Sequence, residues 1–230
     1  IYVLSLKGTL EDSVKNVCKS WWDLTENHEK YDNLKDFAED VARIPLEYEP
    51  GAQYVYGISQ AILGRIVEVV TKKTFYEYLK DNLLEPLEMS ETKFHLTLDE
   101  RERFQPLFIN KIPNSPMNPS TNSLKGFTNE IDQLSYSETN KAYMGSGGMV
   151  STMSDYSNFC QMLVDEGVFK GKKILSKESF NLMLEKHTEP FPNENEPYLF
   201  SDMPGHYFAF NFSVLENVDV DNTGAPAGVY

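Results

Sequence analysis

The segment "YMGSGGMVSTMSDYSNFCQML", residues 143–163, constrains the fold most, because three glycines and several hydroxyl residues stand directly before a helical pattern. A phosphate-binding loop would continue with Lys and Ser or Thr, but the nearest downstream lysine is Lys170. A nucleophile elbow would be Gly-x-Ser-x-Gly after a buried strand, whereas Ser146 lies between two glycines and follows polar residues. The pattern favours a loop whose missing side chains let the backbone pass close to a neighbouring element.

Apolar residues recur at helical spacing along most of the chain. The predicted helices are "EDSVKNVCKSWWDL", "NLKDFAEDVARI", "ISQAILGRIVEVV", "TFYEYLKDNLLEPL", a helix from Thr152 to Gly167, and "SKESFNLMLEKH", capped by Ser176. In the fourth, Thr74 and Glu77 have the spacing of a capping box. The predicted apolar stripe of the third helix is Ile62, Leu63, Ile66 and Val70. The predicted buried face of the helix after the glycines carries Tyr156, Phe159, Cys160 and Leu163.

Two other segments have a different character. From His206 the pattern changes to period two, with Phe208, Phe210, Phe212 and Val214 on one face, which predicts a single sheet strand from His206 to Val214. Between Asn110 and Asn140 the chain is rich in Pro, Asn, Ser and Thr, which predicts a long polar loop.

The composition narrows the possible functions. A formal net charge of -14 would repel nucleic acid phosphates, so we expect no nucleic acid partner. No apolar run is long enough to span a bilayer, so we expect no membrane span. The two cysteines and four histidines are scattered without metal-ligand spacing, so we expect no metal ion. Neither oligomeric state nor cellular location is indicated.

The stretch "PGAQYVYGISQAILGRIVE" contains the strongest candidate for chemistry. A Pro-Gly turn precedes two tyrosines, and an amphipathic helix begins at once, so Tyr56 is predicted to lie at the mouth of a helix. A lysine and the helix N-terminus could lower the pKa of this phenol from about 10 and make it a general base. The alternative interpretation is that Tyr56 only packs against its neighbours.

Three segments carry a resemblance to a known family. They are "PGAQYVYGISQAILGRIVEVVTKKTFYEYL", "LLEPLEMSETKF" and "GSGGMVSTMSDYSNFCQMLVDEGVFKGKKILSKESFNLM". In this order they resemble the serine β-lactamase-like hydrolases, the superfamily of class C β-lactamases, D-Ala-D-Ala peptidases and related esterases. The second resembles the family's "PLGM-x-x-T-x-F", with Glu88 in place of its glycine. The third resembles its "GGL-x-ST-x-x-D-x-x-F-x-x-ML-x-x-G" stretch.

The resemblance implies that Tyr56 is the catalytic tyrosine and that Ile58 is a substrate-binding residue. The family's motif is usually Tyr-x-Asn but here reads "YGI", so Ile58 replaces an amide that could contact a β-lactam or a peptide. An apolar residue at this position resembles the esterase branch. The implied reaction is attack by a serine on a small-molecule ester or amide through an acyl-enzyme, with no cofactor.

The family's Ser-x-x-Lys nucleophile motif does not precede Tyr56 in this sequence. The literal match "SETK", Ser90 to Lys93, lies downstream, and we interpret it as a coincidence. We expect the chain, which opens with Ile1, to be the central fragment of a longer serine hydrolase and to be inactive alone. Two alternatives stay open: a catalytically dead homologue with a binding or scaffolding role, and a helical interaction module, which leaves the three ordered matches unexplained.

The fold that the resemblance implies is α/β (α+β): an antiparallel sheet flanked by helices plus a mostly helical domain, with the active site between them, incomplete at both ends. Residues 1–140 are expected to form the helical domain carrying the tyrosine motif. Residues 141–230 are expected to supply helices and the first strands of the sheet domain. The glycine loop is expected to belong to the scaffold beneath the active site.

Overall fold

The structure is a computed structural model, and it describes residues 31–46, 49, 57–103, 108–110, 127–129, 141–145, 147–188, 203–210, 212–221 and 223–228. Helices and small antiparallel sheets alternate along it. The helices are α1 Leu34–Val41, α2 Ser59–Thr71, α3 Phe75–Leu79, α4 Leu98–Arg103, α5 Met153–Val164 and α6 Lys177–Met183. A π-helical turn, Lys80–Leu84, continues α3. The strands are β1 Phe108–Asn110, β2 Phe127–Asn129, β3 Val168–Phe169, β4 Lys172–Lys173, β5 His206–Phe208 and β6 Ser213–Leu215.

The chain divides into two compact units. The first consists of Ile1–Pro50, Val55–Leu84 and Ser90–Thr152, and the second of Gly51–Tyr54, Glu85–Met89 and Met153–Tyr230. The domain boundary that the sequence predicted at residue 140 stays a prediction. The predicted helix "EDSVKNVCKSWWDL" lies outside the described residues.

In the first unit, α1 forms where the sequence predicted it. The side chain of Asn33 caps the helix by accepting a hydrogen bond from the backbone N–H of Asp36. Leu34 and Phe37 are buried on one face, and the ring of Tyr31 meets that of Phe37 edge-on at 5.2 Å between centroids. Tyr31, Phe37 and Ala61 of α2 form a hydrophobic cluster, called here the α1–α2 cluster.

Helix α2 is confirmed, but its predicted apolar stripe is wrong. Its buried residues are Ala61 and Gly64, whereas Leu63, Ile66 and Val70 are exposed. At Gly64, a Cβ atom would lie only 3.2 Å from side-chain atoms of both Leu34 and Phe75. The helix therefore packs through its smallest residues, which permit close approach but contribute little to a pattern of large apolar side chains.

Helix α3 has the predicted capping box. Thr74 Oγ1 accepts from the N–H of Glu77 at 3.2 Å, and Glu77 Oε2 accepts from the N–H of Thr74 at 2.8 Å. Two backbone N–H groups that the helix cannot bond internally are satisfied in this way.

In the second unit, α5 is confirmed and its buried face is corrected. The buried residues are Asp155, Met162 and Leu163, while Tyr156 and Cys160 are exposed. The buried face of α5 is therefore rotated about the helix axis from the predicted face toward Asp155. The amide of Asn158 donates to the carbonyl of Leu87 at 2.9 Å, so polar contacts help to choose the face.

The predicted cap of α6 at Ser176 and the predicted stop after α5 at Gly167 are both confirmed. Ser176 caps α6 by accepting from the N–H of Ser179 at 3.0 Å. After α5 the chain reverses at Gly167, which has φ +92° and donates its N–H to the carbonyl of Met162. A left-handed residue just after a helix is the usual position for glycine.

The predicted strand from His206 to Val214 is instead a hairpin. Strands β5 and β6 pair antiparallel, with Tyr207 opposite Val214. The chain turns between Ala209 and Phe212, where the N–H of Ala209 donates to the carbonyl of Phe212 at 2.8 Å. The apolar alternation continues through the turn, so the period-two pattern contained no sign of the reversal.

The segment from Asn110 to Asn140 is also not a loop throughout. Within it, β2 pairs antiparallel with β1, and Ile109 lies opposite Thr128. Most of the segment lies outside the described residues. Among the helices that the structure describes, none combines the length and the apolar character needed to cross a membrane.

We predict that Thr74→Ala lowers the free energy of unfolding by about 1 kcal/mol, because it removes the hydroxyl that caps α3. Urea unfolding followed by circular dichroism measures the change. Ser157→Ala is the control, since its hydroxyl donates only to the carbonyl of Ser154 within α5. An equal loss in both variants would show that the capping box contributes nothing beyond an ordinary surface hydroxyl.

Candidate active site

Of the two site residues predicted from the sequence, the structure describes Ile58 but not Tyr56. Tyr56 lies outside the described residues, and its catalytic role stays a prediction. Ile58, the predicted substrate-binding residue, is the N-cap of α2, with φ −89° and ψ 16°. Its side chain is half-buried and packs against the α1–α2 cluster, and its contact with substrate also stays a prediction.

The first turn of α2 begins without a side-chain cap. The carbonyl of Ile58 accepts from the N–H groups of Ala61 and Ile62, at 2.9 and 3.3 Å. A helix N-terminus has a partial positive charge, which favours the anionic form of a nearby acid. Tyr56 precedes Ser59, the first residue of this helix, by three positions in the sequence.

The glycine loop touches this turn at Gly145. A Cβ atom on Gly145 would lie 2.5 Å from the backbone oxygen of Gln60 and 2.9 Å from its carbonyl carbon. The close approach predicted from the glycines is therefore confirmed at this position. Gly145 is not among the residues with positive φ, so it is space rather than backbone torsion that requires a glycine here.

The other two glycines of the loop differ from Gly145. Gly148 has φ +92°, a left-handed conformation that residues with a side chain rarely adopt. Gly147 has neither constraint, because its φ is not positive and a Cβ would meet nothing within 4 Å. A glycine is thus required at position 145 for space and at position 148 for its backbone torsion, whereas position 147 has neither requirement.

On its other side the glycine loop pairs with the segment "SETKF". Lys93 and Val150 form an antiparallel bridge, with N···O distances of 3.0 and 2.8 Å. The hydroxyls of Thr92 and Ser151 lie 2.7 Å apart and share a hydrogen bond. All three sequence segments that carry the family resemblance therefore meet at the loop from Gly145 to Ser151.

An aromatic cluster packs beside this loop in the first unit. The ring of Tyr143 lies 5.0 Å from that of Phe94, 5.4 Å from that of Tyr76 and 5.6 Å from that of His95, between centroids. Burial raises the pKa of both Tyr143 and Tyr76 above the ordinary value of a phenol. Both hydroxyls therefore stay protonated at neutral pH, and neither tyrosine is suited to act as a general base.

The geometry of Ser90 and Lys93 agrees with their exclusion as a nucleophile motif. Ser90 is exposed, and the ammonium of Lys93 bonds to the carboxylate of Glu100 at 2.5 Å. This hydrogen bond raises the pKa of Lys93 and lowers that of Glu100 to about 2. Both groups are charged at neutral pH, so the lysine cannot accept a proton from a serine.

The described part of the chain has no group of three or more His, Cys, Asp or Glu residues placed to hold a metal ion. Sequence reasoning identified a close-approach loop but missed its partner, Gln60. No spacing rule could have found this contact, because it joins two distant segments and uses a backbone oxygen of one of them.

Comparison with known proteins gives a consistent family. The family model described as Beta-lactamase matches residues 19–201. Protein Rv1367c of Mycobacterium tuberculosis is 26% identical over 182 residues, which cover 76% of this chain and 41% of that protein. The chain thus spans less than half the length of this curated relative.

Solved structures show the same fold. The structure of EstCE1, a hydrolase with promiscuous acyltransferase activity, is similar with a TM-score of 0.61 at 18% identity, covering 85% of this chain and 49% of that one. A mutant of simvastatin synthase, LovD, from Aspergillus terreus has a TM-score of 0.58 at 22% identity, covering 81% and 47%. These likenesses confirm the fold class predicted from the sequence.

We predict that Gly145→Ala destabilises the protein by about 1–3 kcal/mol, because the added methyl group would overlap the backbone of Gln60. Gly147→Ala is the matched control and should change stability little, since its Cβ meets open space. Thermal and urea unfolding of the two variants measure the difference. Equal stabilities would contradict the close approach.

Proposed function

The chain belongs to the beta-lactamase family, a family of serine hydrolases that act on ester and amide bonds, and from this premise we propose that it is the central part of an esterase. Its substrate is a small-molecule ester or, less readily, an amide. Tyr56 is the catalytic residue that this segment contributes, and Ile58 lines the substrate site. The reaction passes through an acyl-enzyme.

The observation that carries the proposal is the convergence of the three family segments at the glycine loop, which contacts the first turn of α2. Gly145 contacts the backbone of Gln60, and Lys93 pairs with Val150 at the far end of the same loop. The turn that follows Tyr56 in the sequence is thereby held from a second segment of the chain. Accurate placement of a catalytic group is worth several kcal/mol of activation free energy.

In the proposed mechanism, a serine of the complete protein attacks the carbonyl carbon of the ester. Tyr56, as phenolate, and a lysine take the serine proton and pass it to the departing alcohol. Backbone N–H groups stabilise the oxyanion of the tetrahedral intermediate. A water molecule then attacks the acyl-enzyme and gives its proton to the same base, which passes it to the serine oxygen as the bond to the acyl group breaks and the acid is released. No cofactor takes part.

Ile58 supports an ester rather than a peptide or β-lactam as substrate. The third position of the tyrosine motif has an aliphatic side chain, half-buried against the α1–α2 cluster, and not an amide. It has no donor for a carbonyl group of a peptide-like substrate, so recognition at this position is limited to apolar contact. An ester without a neighbouring amide loses nothing from this change.

The nucleophile is the part of the proposal that these residues do not supply. No Ser-x-x-Lys precedes Tyr56, and the lysine of the downstream match is paired with Glu100. We propose that the serine lies in the complete protein outside these 230 residues. The same observation favours the alternative of a catalytically dead homologue with a binding or scaffolding role, and the presence or absence of a Ser-x-x-Lys motif in the complete protein separates the two.

We predict that the 230-residue chain alone does not hydrolyse p-nitrophenyl acetate above the buffer rate, because it lacks an activated serine. The release of p-nitrophenol is followed by absorbance with the purified chain and with its Ser90→Ala variant. Steady turnover that Ser90→Ala abolishes would show that "SETK" is the nucleophile motif after all.

We also predict that Tyr56→Phe in the complete protein folds normally but loses esterase activity by a factor of about 10² to 10⁴, as expected for the loss of a proton-transfer group. This loss corresponds to roughly 3–5 kcal/mol of activation free energy. The change in the free energy of unfolding should be only about 1 kcal/mol, the usual value of a hydrogen bond. Kinetics and thermal unfolding are measured on the same preparations.

The matched control for that experiment is Tyr54→Phe, two residues earlier in the same segment. It should keep near-normal turnover, because the family resemblance assigns the catalytic role to Tyr56 and none to Tyr54. Loss of activity in Tyr54→Phe alone would move the catalytic role to Tyr54. Full activity in both variants would favour the dead homologue.

A further inference from the structure

We infer that Glu88 and Lys170 form an ionic latch, a salt-sensitive contact that holds the segment Glu85–Met89 against the hairpin of β3 and β4. The inference is independent of the proposed function. The ammonium of Lys170 lies 2.5 Å from a carboxylate oxygen of Glu88, and both residues belong to the second unit. They are 82 positions apart in the sequence, so the latch joins distant parts of that unit.

Both partners of this ion pair have a left-handed backbone. The angle φ is +57° at Glu88 and +48° at Lys170. In a left-handed residue that has a side chain, Cβ lies close to the following carbonyl oxygen, which is unfavourable unless the surroundings support it. Position 88 is also where the family motif that this segment resembles has glycine. An unfavourable backbone at both ends of one ion pair indicates that the two charges have a role at these positions.

The turn between β3 and β4 gives no reason of its own for a lysine at position 170. Phe169 pairs with Lys172, so Lys170 and Gly171 are the two central residues of the turn. The φ angles of both are positive, at +48° and +77°, as in a type I′ turn. The first central residue of such a turn is usually Asn, Asp or Gly. The contact with Glu88 supplies the reason that the turn does not.

Neighbouring contacts hold each end of the latch. The ammonium of Lys170 lies 5.0 Å from the ring centroid of Phe169, whose side chain is buried. Leu87 is buried, and its carbonyl accepts a hydrogen bond from the amide of Asn158 at 2.9 Å. An exposed ion pair usually contributes little, partly because two long side chains must be ordered. Here the contacts on either side supply part of that ordering, so we expect a measurable contribution.

The latch is open to dissolved salt, since 60% of each side chain is exposed. Its strength should therefore fall as the ionic strength rises. The N–H of Glu88 bonds to the carbonyl of Glu85 at 3.0 Å, so the hydrogen exchange of this N–H reports local opening of the segment.

The experiment measures hydrogen exchange by mass spectrometry on the complete protein, in a peptide that covers residues 85–89. We expect Glu88→Gln and Lys170→Met each to lower the protection factor of the Glu88 N–H about two- to fivefold at low salt. At about 1 M NaCl, where the Debye length is about 3 Å, both variants should match the unmodified protein. Unchanged protection at low salt, or a loss that persists at high salt, would overturn the inference.

Lys177→Met is the matched control. It breaks another exposed ion pair of the second unit, with Glu166 at 3.3 Å, and Glu166 is also left-handed. This pair does not involve residues 85–89, so the protection of the Glu88 N–H should not change. An equal loss in Lys177→Met would show a general effect of removing a lysine and would contradict the latch.

The decisive results come from combining the changes. Glu88→Gln with Lys170→Met should lose no more protection than either single variant, because each alone already removes the contact. A double loss equal to the product of the single losses would show that the two residues act independently. The charge swap Glu88→Lys with Lys170→Glu should recover most of the protection, and failure to recover any would count against an ionic contact.

Discussion

The backbone pairing of Lys93 with Val150 is the interaction on which the arrangement of the first unit depends. A hydrogen bond between Thr92 and Ser151, which are 59 positions apart, joins the same two segments. The pairing lets the ring of Phe94 reach that of Tyr143, and the loop that begins two residues after Tyr143 then meets α2. One short stretch of antiparallel backbone thus connects the aromatic cluster to the candidate active site.

The ionisable groups around this pairing stabilise the fold and are not suited to catalysis. Lys93 is committed to Glu100, and the shift of each pKa keeps both groups ionised at neutral pH. Burial holds the two tyrosines of the aromatic cluster in the neutral form. These groups therefore stabilise the fold without offering a base or a nucleophile. The proposal assigns the chemistry of this segment to Tyr56, which precedes α2 in the sequence.

Local signals in the sequence predicted local structure well. The capping box of Thr74, the cap of Ser176 and the turn at Gly167 depend on a few neighbouring residues, and all three are confirmed. The faces of α2 and α5 and the hairpin were wrong, because packing partners far along the chain decide which side is buried and where a strand turns. For the site, the resemblance predicted Tyr56, which stays a prediction, and the glycines indicated a close approach, but neither could indicate the carbonyl of Gln60.

The contact between Gly145 and Gln60 has an evolutionary consequence. Because the atom on the α2 side is a backbone oxygen, every amino acid at position 60 presents the same obstacle. No substitution there can compensate for a side chain at position 145. Selection therefore acts on one partner alone, and sequence covariation, which reports pairs that compensate for each other, would not reveal this contact.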